Sequence, residues 1–197
     1  ISIEARERGL LNLVVTNGYY SGEAISRLCA HVDAIKIDLK SFRDDYYRKV
    51  CGGTLGPVLE SLKTISRSGV WLEIVYLMVP SLNDGTGEID EMASWIAGEL
   101  GPDVPVHLSR FFPQYLLADL PPTPVSSLER ARDTLSARGI RYVYIGNVPD
   151  HPSGSTACHS CGHIVIERNG YRVRKLDLTD GRCASCGEEL PGLWKRG

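Results

Sequence analysis

The segment 35–40, with the sequence IKIDLK, alternates apolar and charged residues with a period of two. Neighbouring side chains of a β-strand point to opposite faces of a sheet, so the three apolar residues share one face and the three charged residues share the other. A parallel strand that is covered on both faces is usually apolar along its whole length. The segment therefore predicts a strand with one face in the core and a second face that either binds a ligand or is solvated, as on an edge strand.

Short apolar runs alternate with amphipathic stretches on both sides of this segment. We predict strands at 11–16, 34–39, 70–79, 105–111 and 141–145, and helices at 22–29, 56–68, 88–100 and 124–138. Asn83 or Asp84 is predicted to cap the third of these helices and Thr123 the fourth. The alternation predicts the α/β class with a parallel sheet or barrel, and five strands are too few for a complete eight-stranded barrel.

Polar side chains also interrupt the other predicted strands. Glu73 lies within the third strand, His107 and Ser109 share a face of the fourth, and Thr16 and Asn17 end the first. A single strand histidine is more often a hydrogen-bonded core residue than a functional one. Because ligands of parallel α/β folds bind at the carboxyl ends of the strands, the whole set predicts a binding site there, with charges for an amino-acid ligand and hydrogen-bonding groups for a ribose.

The C-terminal part carries two matching cysteine motifs, CHSCG at 158–162 and CASCG at 183–187. Each motif places two thiolates one turn apart, and four thiolates can surround a metal ion in a tetrahedron. Disulfides, redox-active pairs and a rubredoxin-like iron site are the alternatives. The spacing predicts a structural zinc site whose ligands are Cys158, Cys161, Cys183 and Cys186.

The residue pattern changes after a short predicted linker at 151–155. Beyond the linker, the segments 162–167 and 171–178 are typical of short β-strands, and Asn169-Gly170 between them is a strong hairpin signal. We therefore predict two domains, a partial (β/α) barrel over 1–150 and a zinc-ribbon-like metal-binding module over 151–197.

The composition of the 197 residues is ordinary for a globular protein, with 43% hydrophobic and 23% charged residues and a net charge of −2. This charge does not favour a nucleic-acid or anionic-membrane surface. No apolar run is long enough to span a bilayer, and six cysteines in a chain of this length do not suggest a secreted disulfide framework. We therefore expect a cytoplasmic protein in which the isolated Cys29 and Cys51 are small buried residues.

Several motifs taken together resemble those of radical S-adenosylmethionine (SAM) enzymes. They are Thr-Asn-Gly at 16–18, Asp-Leu-Lys at 38–40, the run from Glu73 to PSLND at 80–84, HLSRFFP at 107–113 and YIGNV at 144–148. The chain is most similar to the pyruvate formate-lyase activating enzyme-like subgroup and, within it, to AmmeMemoRadiSam-system radical enzymes. The resemblance implies a partial (β/α) barrel that binds SAM and a [4Fe–4S] cluster. Reductive cleavage of SAM would yield a 5′-deoxyadenosyl radical that abstracts hydrogen from a substrate.

The resemblance also implies which residues bind SAM. The family's Asp-x-Lys segment, its Thr-Asn-Gly segment and its strand histidine near the nucleoside are all present, and a strand glutamate is a looser match. The position before Thr-Asn-Gly, which is often Asp in activating enzymes, is Val15 here. The implied SAM-binding residues are Thr16, Asn17, Asp38, Lys40, Glu73 and His107.

Two segments of that family do not occur in this sequence. They are the cluster-binding Cys-x-x-x-Cys-x-x-Cys motif and the Gly-Gly-Glu-Pro motif that binds the methionine amino group. We therefore expect the C-terminal part of such an enzyme, without the first barrel strands, without cluster ligands and inactive alone. The strand at 11–16 would be an open edge, which predicts a homo-oligomer or a covering N-terminal segment.

The sequence leaves other functions open. The main alternative is a non-catalytic scaffold or binding module whose zinc ribbon docks a partner. A lyase that uses Lys36 or Lys40 as a Schiff base is a third class. The substrate is either a protein residue, as in glycyl-radical activation, or a small molecule. Neither nucleic acid nor a membrane is expected as a partner, and no residue is assigned as catalytic.

Overall fold

An all-parallel sheet of five strands forms the larger part of the protein, of which the computed structural model describes residues 1–170 and 172–194. The strands lie side by side in chain order. This arrangement confirms the predicted α/β class and parallel sheet. The strands are β1 (Leu13–Thr16), β2 (Ala34–Asp38), β3 (Trp71–Met78), β4 (Val106–Arg110) and β5 (Val143–Gly146).

Helices connect the strands and cover one face of the sheet. The residues of this face are apolar and fully buried, for example Ile37, Ile74 and Leu108, and they share one core with Leu62 and Ile96 of the helices. Burial of apolar surface, worth about 25 cal/mol per Å², holds the helices to the sheet. The helices are α1 (Ser2–Glu7), α2 (Gly22–Cys29), α3 (Asp44–Tyr46, continued by a π-helical turn over Tyr47–Cys51), α4 (Gly56–Ser68), α5 (Thr86–Glu99) and α6 (Val125–Ala137). None of the helices in the described part of the chain is both long and apolar enough to cross a membrane.

The opposite face of the sheet, here called the inner face, carries the charged side chains of the strands. Lys36 of β2 pairs with Glu73 of β3, and Val75 of β3 pairs with His107 of β4. Directly paired residues of neighbouring strands point to the same side, so these side chains share the inner face. Since β2 lies between β1 and β3, its charged face is not that of an edge strand.

The predicted helix caps are wrong. The N-cap of α5 is Gly85 and that of α6 is Pro124, and neither makes a side-chain hydrogen bond. The hydroxyl of Thr123 instead donates to the carbonyl oxygen of Met78 at 2.6 Å and accepts from the N–H of Phe111 at 2.9 Å. Asn83 is likewise bonded to strand ends rather than to a helix, as described below. These polar residues tie loops to the sheet.

A small antiparallel unit, here called the ribbon (residues 156–194), follows the sheet and contains both cysteine motifs. The predicted linker before it contains a single 3₁₀ turn, Pro152–Gly154. The first three ribbon strands form one sheet and the last two form another. They are β6 (Thr156–Ala157), β7 (Ile164–Asn169), β8 (Arg172–Leu176), β9 (Leu178–Thr179) and β10 (Arg182–Cys183).

The predicted hairpin around Asn169-Gly170 is present. Strands β7 and β8 are antiparallel, and Asn169 pairs with Arg172. Tyr171, which the sequence predicts to begin the second strand of the hairpin, lies outside the described residues. The division of the chain into domains at 150 and 151 stays a prediction.

The isolated cysteines differ from the sequence-based expectation. Cys29 is partly buried, whereas Cys51 is exposed. Cys51 ends the π-helical turn that follows α3, and the buried residue of that turn is Tyr47. The prediction of a small buried residue is therefore wrong for Cys51.

Candidate functional site

A carboxylate and an imidazole form the centre of a polar cluster on the inner face. Nε2 of His107 lies 2.8 Å from Oε2 of Glu73, and the indole N–H of Trp71 donates to Oε1 of Glu73 at 3.0 Å. Nζ of Lys36 lies 4.0 Å from Oε2 of Glu73. The alternation of neighbouring strands brings these residues together. A carboxylate and an imidazole in direct contact can hold the hydroxyl or amino groups of a ligand and can share a proton.

Glu73 provides a fixed negative charge in this cluster. Desolvation opposes its ionisation, but the hydrogen bond and charge of His107, the hydrogen bond from Trp71 and the charge of Lys36 together outweigh it. They lower the pKa of Glu73 to about 2. The side chain is nevertheless 28% exposed, so a ligand can reach the carboxylate.

Tyr144 of β5 joins the cluster to the ribbon. Its ring stacks on the ring of His107, with centroids 5.0 Å apart and planes at 25°, because the two residues pair across β4 and β5. Its hydroxyl lies 2.9 Å from Oγ1 of Thr156 in the ribbon. Desolvation raises the pKa of Tyr144, so the hydroxyl keeps its proton and this hydrogen bond is maintained.

A second contact links β5 to the first cysteine motif. The hydroxyl of Tyr142 lies 2.7 Å from Nδ1 of His159, the residue that follows Cys158. Nε2 of His159 lies 3.4 Å from a carboxylate oxygen of Glu188, which follows the second motif. Tyr142 and Tyr144 together attach the ribbon to the last strand of the sheet.

These contacts leave a cleft of about 1170 Å³ between the inner face and the ribbon. The sheet side of the cleft includes Glu73, His107 and Tyr144, and the ribbon side includes Arg168 and Trp194. A cleft of this size, lined by aromatic side chains and a few polar groups, is typical of a site for a small molecule.

Asp38 and Lys40 lie at the carboxyl end of β2, beside the polar cluster. Nζ of Lys40 donates to Oδ2 of Asp38 at 2.9 Å, and the side chains of Lys40 and Asp38 are 39% and 35% exposed, respectively. An ion pair this exposed adds little to stability. Both charges are therefore accessible to a ligand at the strand ends, where parallel α/β proteins bind their ligands.

Asn83 fixes the chain around Lys40. Its Nδ2 donates to the carbonyl oxygens of Lys40 and Leu77 at 2.7 and 2.9 Å, and its Oδ1 accepts from the N–H of Val79 at 2.6 Å. The residue is 1% exposed. Because the three partners are backbone groups at the ends of β2 and β3, Asn83 sets the position of the Asp38–Lys40 pair relative to the neighbouring strand.

Glu88 supports the same turn. It is 5% exposed, and Oε1 accepts from the hydroxyl of Ser41 at 2.5 Å and from the N–H of Phe42 at 2.7 Å. The hydroxyl of Tyr76 donates to the same oxygen at 2.8 Å. Sequence reasoning missed this role, because an acidic residue in the first turn of a helix is ordinary on its own.

Thr16 lies on the other face of the sheet. It pairs with Ile37, and its Oγ1 lies 3.0 Å from the hydroxyl of Tyr20 on the helix side. Asn17 is exposed just beyond the strand, and its Oδ1 accepts from the N–H of Tyr19 at 3.1 Å. The predicted SAM-binding residues that the structure does bring to the inner face and its carboxyl edge are Asp38, Lys40, Glu73 and His107.

Gly18 has a structural role in the Thr-Asn-Gly motif. Its φ of +72° is in the left-handed region, and a Cβ there would lie 3.1 Å from two methyl carbons of Ile37 and 3.3 Å from Val58. Only glycine adopts this φ and leaves room for these methyl groups without strain. The motif therefore shapes the turn between β1 and α2.

The four ribbon cysteines lie close enough together to hold one metal ion. Their sulfurs all lie within 4.8 Å of one another, and the Sγ–Sγ distances are 3.7 Å for Cys158–Cys186 and 3.8 Å for Cys161–Cys183. Thiolates about 2.3 Å from a tetrahedral zinc ion lie about 3.8 Å apart, whereas disulfide-bonded sulfurs lie about 2 Å apart. The arrangement fits a metal ion with four thiolate ligands, and zinc and iron fit it equally well.

The peptide groups of the second motif favour the thiolate form of its first cysteine. Desolvation raises the pKa of Cys183, but hydrogen bonds from the N–H groups of Cys186 and Ser185 and from the thiols of Cys186 and Cys161 outweigh this effect and lower the pKa to about 7. The neighbouring sulfurs in turn raise the pKa of Cys186. Metal binding requires thiolates, so these N–H groups prepare the site for an ion.

Sequence reasoning also missed the contacts of Tyr142, Tyr144 and Arg168 between the sheet and the ribbon. Tyr142 and Tyr144 are two residues apart in a predicted strand, so they share a face, and this spacing is the signal that could have identified them. Arg168 gives no comparable signal, because it lies in an exposed-looking basic stretch of the ribbon.

No known protein-family profile matches the chain. It is 43% identical over 191 residues to an uncharacterized protein of Methanocaldococcus jannaschii, an alignment that covers 96% of this chain and 56% of the relative. It is 23% identical over 181 residues to the benzylsuccinate synthase activating enzyme of Thauera aromatica, covering 85% and 54% of the two chains. A pyruvate formate-lyase-activating enzyme of Clostridium pasteurianum is 29% identical over 91 residues, which cover 46% of this chain and 38% of the relative.

The chain spans about half the length of the first two of these curated relatives. Two solved structures resemble its fold. A domain of a pyruvate-formate lyase-activating enzyme from Bacteroides vulgatus has a TM-score of 0.66 at 14% identity, covering 74% of this chain and 87% of that one. A radical SAM methyltransferase from Sphaerobacter thermophilus has a TM-score of 0.56 at 19% identity, covering 80% and 46%. The five-stranded sheet thus matches a radical SAM partial barrel, and its relatives and structural neighbours include activating enzymes of the pyruvate formate-lyase type.

Proposed function

We propose that this chain is part of a radical SAM enzyme of the pyruvate formate-lyase activating type. The observation that carries the proposal is the Glu73–His107 cluster on the inner face of a parallel sheet, beside the Asp38–Lys40 pair. The activating enzymes among the relatives support it.

In this proposal, the inner face and its carboxyl edge bind SAM. Asp38 and Lys40 offer charges of both signs for the ammonium and carboxylate of the methionine part. Glu73, which is ionised and held by His107, accepts hydrogen bonds from the ribose hydroxyl groups. Thr16 acts indirectly by shaping the turn at Gly18, and Asn17 contributes its exposed amide. Reductive cleavage of the bound SAM would supply the hydrogen-abstracting chemistry.

The residues of this chain do not fit the [4Fe–4S] cluster of that family. The sequence lacks the Cys-x-x-x-Cys-x-x-Cys spacing, and four of its six cysteines form the ribbon site. Cys29 and Cys51 lie on separate elements, and two thiolates do not hold a cluster that takes four. None of these residues is therefore assigned a part in reducing SAM.

We further propose that the ribbon cysteines bind structural zinc and that the chain belongs to the AmmeMemoRadiSam-like subgroup. The substrate of the complete enzyme is proposed to be either a protein, as the names of the activating-enzyme relatives suggest, or a small molecule held in the cleft. The zinc assignment rests on the pair of Cys-x-x-Cys motifs, which is common in structural zinc sites. Because the sulfur spacing fits iron as well, metal analysis of the purified chain tests zinc against iron.

Direct binding of SAM tests the assigned residues. Isothermal titration should detect SAM binding by this chain, and Glu73→Gln should weaken it at least tenfold, because a hydrogen bond to a charged group is worth about 1.5–3 kcal/mol. Glu129→Gln, an exposed change on α6, is the matched control and should have no effect. Equal affinities of the wild-type and Glu73→Gln proteins would remove Glu73 from the site.

The reaction itself is tested in a longer relative. The Methanocaldococcus jannaschii protein aligns with 96% of this chain and is nearly twice as long. After anoxic reconstitution with iron and sulfide, reduction should release 5′-deoxyadenosine from SAM. A reconstituted protein that binds iron and sulfide but does not cleave SAM would contradict the enzyme assignment.

A non-catalytic binding module is the second candidate. The observation that favours it is that four cysteines of the ribbon are already grouped closely enough to hold a metal ion. A chain that takes up one equivalent of zinc but shows no saturable SAM binding would support the module over the enzyme.

A further inference from the structure

The ribbon contributes a cation to the cleft. The guanidinium carbon of Arg168 lies 5.9 Å from the centroid of the Tyr144 ring, and Arg168 lines the cleft together with Glu73 and His107. Tyr144 stacks on His107 in turn. A residue of the ribbon is thus placed within the same cavity as the polar cluster of the sheet.

Arg168 is held in place by neutral groups. Its Nη1 donates to Oγ1 of Thr156 at 2.7 Å and to the carbonyl oxygen of Gly154 at 3.3 Å, and its backbone N–H donates to Oγ of Ser155 at 3.0 Å. These contacts restrict the side chain before any ligand arrives. A preorganised guanidinium loses less freedom on binding than a mobile one.

The positive charge of Arg168 is not matched by a carboxylate among the residues that the structure describes. Every hydrogen bond that its guanidinium makes to these residues comes from Nη1, although a guanidinium carries five N–H groups on three nitrogens. The carboxylate of Glu73, by contrast, already contacts His107 and Trp71. The cleft therefore has a cation whose remaining donors are available to an anionic ligand.

The surroundings of Arg168 indicate the class of ligand. The cleft is lined by the aromatic rings of Tyr144, Phe112, Trp71 and Trp194, so it suits a molecule with an apolar or aromatic body. A single guanidinium matches the planar, singly charged carboxylate, whose two oxygens accept two parallel N–H groups. A phosphate, with more charge and a tetrahedral shape, would call for further cations. Lys36 also lines the cleft, but its Nζ already lies 4.0 Å from Oε2 of Glu73.

The geometry points to Arg168 as a ligand-binding residue of the cleft that takes the carboxylate of a small molecule with an apolar or aromatic body. This inference rests on the proposed function for the idea that the cleft receives the substrate, and it adds the chemical class of that substrate. It also gives the ribbon a direct part in the site, beyond a structural one.

Phenylacetate, with its uncharged analogue phenylacetamide, is a suitable pair of probes. Trp71 and Trp194 line the cleft, whereas Trp95 packs against Phe42 elsewhere, so tryptophan fluorescence reports on the cleft. The zinc-loaded chain should show a saturable fluorescence change with phenylacetate and at least tenfold weaker binding of phenylacetamide. Arg168→Gln should remove this preference, so that both probes bind equally weakly.

Two further variants control for charge and for folding. Arg174→Gln removes one positive charge from an exposed site on β8 of the same ribbon and should leave phenylacetate binding unchanged. Arg168→Lys keeps the charge but removes the planar fork, and its affinity should fall between those of the wild-type and Arg168→Gln proteins. Circular dichroism and zinc content show whether each variant is folded. If Arg168→Gln does not fold, the affinity of Arg168→Lys and the comparison of phenylacetate with phenylacetamide in the wild-type protein test the inference.

Several results would overturn the inference. They are the absence of saturable phenylacetate binding at millimolar concentrations, equal affinities for phenylacetate and phenylacetamide, and equal losses of phenylacetate affinity in Arg168→Gln and Arg174→Gln. Tighter binding of phenyl phosphate than of phenylacetate would overturn the assignment of a carboxylate. These measurements need no SAM. Phenylacetate binding through Arg168 without SAM binding would contradict the proposed function alone. SAM binding without phenylacetate binding through Arg168 would contradict this inference alone.

Discussion

On its β4–β5 side the inner face of the sheet is covered by the ribbon, whereas on its β1 side the same face is open. Tyr142 and Tyr144 are hydrogen-bonded to the ribbon, but Leu13 and Val15 are 63% and 62% exposed. The polar cluster lies toward the covered side. Partial exclusion of water strengthens hydrogen bonds and ion pairs, so the covering unit, as much as the sheet, makes this region suitable for a site.

The region between these two sides is supported in a different way. Among the residues that the structure describes, no unit comparable to the ribbon covers the Asp38–Lys40 pair on the inner face. Its position is set by Asn83 and Glu88, which bond the adjoining turn from within the core. The comparison separates two means of fixing a site, namely a docked unit above the sheet and buried polar side chains beside it. Substitutions in each region distinguish these two means.

Loss of the metal ion that we propose for the ribbon should have the largest effect. Chelation of the ion, or Cys158→Ser, is expected to unfold the ribbon, because structural zinc contributes about 10–16 kcal/mol to comparable small modules. Hydrogen exchange should then show loss of amide protection over β6–β10 and much smaller changes in β2–β4. Cys51→Ser, at an exposed cysteine outside the site, is the control. Ribbon amides that stay protected without metal would show that the docking to β5 suffices.

Removal of the Asn83 side chain should have the next largest effect. Asn83→Ala leaves two carbonyl oxygens and one N–H group without their buried partner, which should cost about 3–5 kcal/mol of the free energy of unfolding. Urea unfolding measures this loss. Glu91→Ala, at an exposed residue on α5, should change the free energy of unfolding by less than about 0.5 kcal/mol. A loss below about 1 kcal/mol in Asn83→Ala would mean that water replaces the side chain.

Acid should weaken the covered side through Glu73. The pKa of Glu73 is about 2 in the folded protein against 4.5 for the free side chain. Since the folded value is lowered, the stabilisation is complete above pH 4.5 and is lost as the pH falls from 4.5 toward 2. Glu73→Gln should remove about 2 kcal/mol of this pH dependence, as measured by thermal unfolding across that range. Glu129→Gln serves as the control, and an equal change in both variants would contradict the assignment.

The smallest effect is expected on the open side. Val15→Thr should change the free energy of unfolding by less than about 0.5 kcal/mol, because the side chain is largely exposed. The same substitution at the fully buried Val106 should cost about 1–3 kcal/mol, since it buries a hydroxyl group. Similar losses at both positions would show that the β1 side is covered in solution, for example by a second copy of the chain.

The features that the sequence predicts correctly depend on local geometry. The period of two in the segment 35–40 determines which side chains share a face, and the resulting pairing places Glu73 and His107 together on the sheet. The cysteine spacing likewise predicts the grouping of the four cysteines, because each motif places two sulfurs one turn apart. In both cases a local pattern fixes where the side chains point, although Glu73 and His107 lie 34 residues apart in the chain.

The features that the sequence does not predict depend on partners far along the chain. Asn83 and Thr123 have the residue types of helix caps, yet they bond Lys40 and Met78, 43 and 45 residues away. Thr16 matches a family motif, but the alternation of β1 turns its side chain toward the helices. Arg168 reaches the cleft only because the ribbon folds back onto β5, and no local pattern encodes that docking.

Tyr142, which precedes β5, and Tyr144 within it have a further consequence for the alignment of the sheet. Strand β5 is an edge strand and is hydrogen-bonded only to β4 in the described sheet. A slip of β5 by one residue would turn Tyr142 and Tyr144 away from the ribbon and would move the buried Val143 and Ile145 out of the core. The ribbon therefore selects a single register for the last strand of the sheet, and with it the stacking of Tyr144 on His107.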